Sequence, residues 1–119
     1  MAGSTASYRS SSSRTAARRP PARYAVVWSV GGEPGSGSLE IHPGGLELQS
    51  RDRRISVPFA SLAGAWISRR PADRLHGLPA LVLGPVGGGP SVRVASLEGP
   101  GVLHELAGEV ADAGLVVAA

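Results

Sequence analysis

The sequence predicts a mainly β protein closed by a single C-terminal α-helix, and three observations carry that expectation. Apolar residues recur at every second position in short stretches between residues 24 and 96, each stretch bounded by Gly, Pro, Ser or Asp. After residue 100 the period changes: Leu103, Leu106, Ala107 and Val110 fall at i, i+3, i+4 and i+7, one face of a helix. Between these regimes lies Arg53 to Arg70, RRISVPFASLAGAWISRR, an apolar run pinched in the middle and bracketed by arginine pairs.

Taken in order, residues 1–22 are rich in Ser, Ala and Arg and contain almost no large apolar side chain. Such a segment buries too little surface to offset the entropy of ordering, so a disordered basic leader is expected, followed by one domain over 23–119. Its Arg- and Ser-rich, acid-poor composition also suits an organelle transit peptide, and it lacks the apolar centre of a secretory signal. YAVVWSV at 24–30 is the first strand, with Tyr24, Val26, Trp28 and Val30 on one face. GGEPGSG at 31–37 reads as a flexible connection. Residues 38–42 and 46–50 are two short strands around the His42-Pro43-Gly44-Gly45 turn, where Pro fixes φ and Gly permits positive φ.

Arg51-Asp52-Arg53 leads into the bracketed stretch. There Ile55, Val57 and Phe59 alternate with Ser56 and Pro58, and Ala63, Ala65 and Ile67 alternate with Gly64, Trp66 and Ser68. Ala60-Ser61-Leu62 would be the corner where the chain leaves one sheet for the next. PADRLHG at 71–77 is a polar loop, residues 79–83 an apolar strand, GPVGGGP at 84–90 a turn, and 91–96 a strand with Val92 and Val94 opposite Arg93 and Ala95. The helix runs over about 101–113, with Glu105, Glu109 and Asp112 outward, Pro100 in its first turn and Gly114 at its stop.

Composition narrows the function. At 119 residues, 42% of them hydrophobic, the chain makes one core, built from Val, Leu and Ile around two tryptophans. Without cysteine there is no disulfide, thiolate metal site or cysteine nucleophile, and a reducing cytoplasm suits the chain. No apolar run is long enough to span a membrane as a helix. The net charge of +3 divides unevenly: residues 1–23 carry five arginines and no acid, whereas 24–119 carry seven arginines against nine acids. All twelve basic residues are arginine, which with the abundant Ala, Gly and Pro reads as the composition of a GC-rich bacterial coding sequence.

No motif of a reaction centre is found. His104-Glu105 opens like a zinc-protease helix, but Gly108 stands where the second histidine belongs. His42 and His76 read as surface residues, and no metal is expected. GPVGGGP lacks the lysine of a phosphate-binding loop, and the GSGS at 35–38 does not frame a serine as a nucleophile elbow does. Arg51, Arg53 and Arg54 are the candidate ligand- or partner-binding residues, three guanidiniums within four positions and able to chelate a phosphate or an acidic loop. Arg69, Arg70 and Arg74 form a second basic cluster around Asp73.

Several short strands followed by one helix, with GSLEIHPGGLEL at 37–48 and RRISVPFASLAG at 53–64, resemble small bacterial pleckstrin-homology-like proteins. The resemblance covers roughly residues 23–114. It implies about seven antiparallel strands in two nearly orthogonal sheets, a barrel or sandwich plugged by the helix; another small β barrel with a helical cap is the competing architecture. Phosphoinositide-binding members place basic residues in the first inter-strand connection, where this chain has only Glu33, but the third connection holds Arg51, Arg53 and Arg54. The function implied is a non-enzymatic adaptor without cofactor that binds another protein, through the groove beside the helix or along a strand edge. The alternative is peripheral attachment to anionic lipid head groups at the inner face of the membrane, through Arg51–Arg54 and the basic leader. Nucleic acid would be held only weakly, by the leader.

Overall fold

The computed structural model describes residues 22–88 and 91–118; residues 1–21 of the expected leader, and with them the expectation of disorder there, lie outside these, while Ala22, the last residue assigned to the leader, already belongs to a strand. Among the described residues eight strands and one α-helix follow one another: β1 (Ala22–Val30), β2 (Glu33–His42), β3 (Gly45–Gln49), β4 (Arg54–Pro58), β5 (Leu62–Ser68), β6 (Ala80–Pro85), β7 (Val92–Ser96), α1 (Pro100–Asp112) and β8 (Val117–Ala118). They form one sheet in the order β4-β3-β2-β1-β7-β6-β5-β8, curled into an open half-barrel. The chain is thus mainly β with one C-terminal helix. Eight strands in one curled sheet replace the two separate sheets of about seven that the sequence suggested, because β1 bridges the halves, pairing along its whole length with β2 and over Val26–Val30 with β7.

The expected loop at 31–37 is largely strand. Gly31 and Gly32, at φ 58° and 87°, make a two-residue hairpin turn, and Glu33 to Gly37 pair with Val30 back to Val26. This Gly- and Pro-rich stretch looks like a connection, yet its residues are set by their neighbours. A Cβ at Gly35 would collide with the Trp28 ring, and one at Gly37 would lie 2.1 Å from the Gln49 carbonyl oxygen. Pro34 is tolerated because β2 pairs with β3 only from Ser38 onward, so no second neighbour needs its missing N–H.

The concave face carries the core. Tyr24, Val26 and Trp28 of β1, Leu39 and Ile41 of β2, Leu46 and Leu48 of β3, Leu81 and Leu83 of β6, and Val92 and Val94 of β7 join one buried cluster. Leu103, Leu106, Ala107 and Val110 of α1 close it from the open side, and burying each leucine contributes about 1.5–3 kcal/mol. The helix begins at Pro100 and ends in Gly114 at φ 120°; there Leu115 N–H donates to Val110 O and Gly114 N–H to Ala111 O, a Schellman stop that also buries Leu115.

The corner between β4 and β5 is a 3-10 turn over Phe59–Ser61, with Phe59 buried. It carries the chain from one end of the strand order almost to the other. Beyond it a bulge between Leu62 and Gly64 shifts the phase of β5. Leu62 and Ala65 therefore point inward while Ala63, expected in the core, is exposed. Of the two tryptophans, Trp28 is buried and Trp66 is 44% exposed. On the convex face the 69–79 loop folds back over the sheet: Arg93 donates to Ala72 O and to Ser29 Oγ, and Ser68 Oγ donates to Asp73 (2.6 Å).

Candidate functional site

Arg51 and Arg53 stand on the rim of a cleft of about 310 Å³ floored by Trp28, Gly35 and Ile55. The β3–β4 connection that carries them is pinned by Ser50 N–H donating to Arg53 O and by Ser50 Oγ donating to Asp52. Arg53 Nη1 donates to Glu33 Oε1 across the cleft mouth at 3.2 Å, between two exposed side chains. Arg54 is elsewhere. As the first residue of β4 it alternates with the inward-facing Ile55 and Val57, so it emerges on the convex face 3.6 Å from Glu47. The three predicted arginines therefore divide between two faces; two are paired with carboxylates, and Arg51 makes no ion pair among the described residues.

The second cluster divides too. Arg74 Nε donates to Arg69 O, holding the loop, while Arg69 borders a hollow that the Arg51 cleft does not share. That hollow is a largely apolar groove of about 540 Å³ between α1 and the β5 edge, lined by Ile67, His104, Ala107, Gly108 and Ala111 and closed by β8. At its floor β5 accepts a strand. β8 pairs in parallel with Ala65 and Trp66, and Ala65 N–H donates to Val116 O (2.9 Å). By strand alternation Ile67 is the next residue whose backbone groups point out of the sheet. The opposite edge, β4, is blunted: Gly44 O receives Phe59 N–H, which puts Arg54, Ser56 and Pro58 outward, and Pro58 has no donor.

A third assembly was not legible as a site. Glu40 and Glu47 are opposite each other on β2 and β3, and with His42 they bring three possible ligand atoms within 4.8 Å. Like charges in direct opposition are unfavourable, and the flanking groups answer them: Arg23 hydrogen-bonds Glu40, His42 Nε2 lies 3.2 Å from Glu40 Oε1, and Arg54 faces Glu47. The hydrogen bond from Arg23 is the main reason the Glu40 carboxyl titrates below its ordinary value. A divalent cation would have to displace these partners, so the arrangement acts first as an ion-pair ladder across four strands. Only the strand register, invisible in the sequence, brings its members together.

No protein-family model matches the chain, and no curated protein matches it.

Proposed function

We propose that this protein is a non-enzymatic binding module of pleckstrin-homology-like kinship, and that it receives an extended segment of another protein in the groove between α1 and β5. The observation that carries the reading is the parallel pairing of β8 on the β5 edge: that edge takes a strand beside an apolar hollow. Backbone hydrogen bonds to such an edge supply affinity, and the adjoining hollow supplies side-chain selectivity. The element order, helix-closed half-barrel and apolar groove support the reading. Gly108 lines the groove, and a Cβ there would meet nothing, so Gly108→Arg obstructs the hollow without disturbing the core.

The test is selection of displayed peptides on the full chain, followed by titration of the selected peptides. Binding that falls at least tenfold in Gly108→Arg supports the groove. Failure of the full chain to select any peptide, together with a rise in melting temperature on adding a small molecule, would overturn the interaction reading.

The alternative, anionic lipid held by Arg51, Arg53 and Arg54, has in its favour the cleft rim and an Arg51 without an ion pair among the described residues. It has the pairing of Arg53 and the convex-face position of Arg54 against it. Sedimentation with anionic vesicles at low and high salt, with and without residues 1–22, separates the two contributions. Loss on deletion alone would assign lipid affinity to the leader.

A further inference from the structure

Resting on the groove reading above, we propose that β8 is a removable occupant of the β5 edge. It is an internal strand that keeps the groove closed and leaves before a segment of another protein pairs there. Three observations carry this.

The first is that β8 takes the positions an incoming strand needs. It pairs with Ala65 and Trp66, Ala65 N–H donates to Val116 O, and the parallel register directs Ala118 N–H toward Ala65 O. What remains of the edge is short. On one side the bulge between Leu62 and Gly64 breaks the register. On the other, Ile67 is the last residue with edge-facing backbone groups before β5 ends at Ser68. A strand of ordinary length, about five residues, cannot lie on this edge while β8 does.

The second is how β8 is held. Val117 packs against the core cluster and is half-buried, Ala118 is exposed, and Val116 before them is 75% exposed. Leu115 is fixed quite differently: it is buried, and its N–H donates to Val110 O in the helix stop. The hold therefore changes abruptly between Leu115 and Val116. β8 can swing away about that point with Leu115 and α1 still seated, and its release uncovers part of one valine without opening the core.

The third is the fit. Val117 and Ala118 form one wall of the groove, yet about 540 Å³ beside them stays unfilled. On β5 the seat is close, since a Cβ on Gly64 would lie 3.2 Å from Val116 O. The backbone of β5 thus receives a strand closely, whereas the side chains β8 brings are too small to fill the hollow. A segment with larger apolar side chains makes the same backbone hydrogen bonds and buries more surface, so it displaces β8.

The chain has no cysteine, so one introduced pair controls β8 in the full protein. Trp66 and Ala118 are register partners and both exposed; neighbouring strands lie about 4.8 Å apart, a span that a disulfide bridges. In Trp66→Cys/Ala118→Cys, peptides selected on the unmodified chain should bind at least tenfold more weakly when the pair is oxidised than when it is reduced. Ala118→Pro removes the donor to Ala65 O at an exposed position, and should bind the same peptides at least threefold more tightly. Without any peptide, the Ala65 amide should exchange its hydrogen at least a hundredfold faster than that of Val94, whose strand is paired on both sides. Equal exchange at the two amides would mean that β8 leaves only on global unfolding, and overturns the proposal. So do peptides that lose affinity in Gly108→Arg yet bind the oxidised and reduced forms equally; the groove would then stand without its gate. Selection of no peptide on either the unmodified chain or Ala118→Pro removes the groove reading and the gate together.

Discussion

The indole of Trp28 lies across Gly35, its register partner on β2. A Cβ at that glycine would fall 2.3 Å from Nε1, 2.4 Å from Cε2 and 2.6 Å from Cζ2. The ring is 4% exposed and belongs to the buried core cluster, so making room for the Cβ means shifting a packed ring toward the cleft it floors. Gly35→Ala is therefore expected to destabilise by about 1–3 kcal/mol through overpacking. Gly84 is the internal control, since its Cβ would meet Trp66 at 3.1 Å and that ring is 44% exposed and free to tilt. Gly84→Ala should change stability by no more than about 0.5 kcal/mol. Urea unfolding of the two variants decides it: equal midpoints would remove the distinction.

That glycine also marks the limit of what the sequence discloses. The helix face, the strands of β1, β3 and β7 and the corner at Phe59 follow from periodicity, because each buries one apolar face. Glu33 to Gly37 do not, because their small residues answer a ring and a carbonyl on other strands, which composition reports only as Gly and Ser. The bulge that turns Ala63 outward is likewise a property of β5 paired with β6. β8 is two residues of an apolar tail with no alternation to betray it. Among the arginines, spacing brings Arg51, Arg53 and Arg54 close along the chain, but strand alternation sends Arg54 to the other face. The groove beside α1 needs the helix packed on the sheet before it exists.

A second prediction concerns acid. The Arg23 hydrogen bond is the first cause that lowers the Glu40 carboxyl below its ordinary 4.5, with the charges of Arg23 and His42 adding to it. A depressed folded-state value means stability that is fully present above pH 4.5 and lost as pH falls through the folded value. Glu40→Gln should lower stability at neutral pH and flatten the acid limb of the stability curve below pH 4.5. Parallel wild-type and variant curves from pH 7 to pH 2 would count against the ion-pair ladder.

A third prediction separates the groove from the fold. Gly108 is inside α1, its Cβ direction is open, and it has no positive φ to preserve. Gly108→Ala should raise stability by about 0.5–1 kcal/mol through helix propensity alone. A loss of melting temperature in this variant would mean that the helix packs more closely there than the groove allows.

The position of β4 and β5, consecutive in the chain yet near opposite ends of the strand order, has a kinetic consequence. The described residues form two contiguous pieces, a four-strand meander and a three-strand meander with its helix and β8, and among these residues the strands of the two pieces pair only along the β1–β7 seam. Contacts within each piece come from neighbours in sequence, whereas the seam joins positions roughly sixty to seventy residues apart and must close that span against chain entropy. The two meanders should form first and the seam last. Val94→Ala on β7 is then expected to speed unfolding and leave refolding nearly unchanged, while Leu48→Ala on β3 should slow refolding. Stopped-flow kinetics of the two variants measure the order of assembly directly, and the reverse pattern would mean that the seam nucleates the fold.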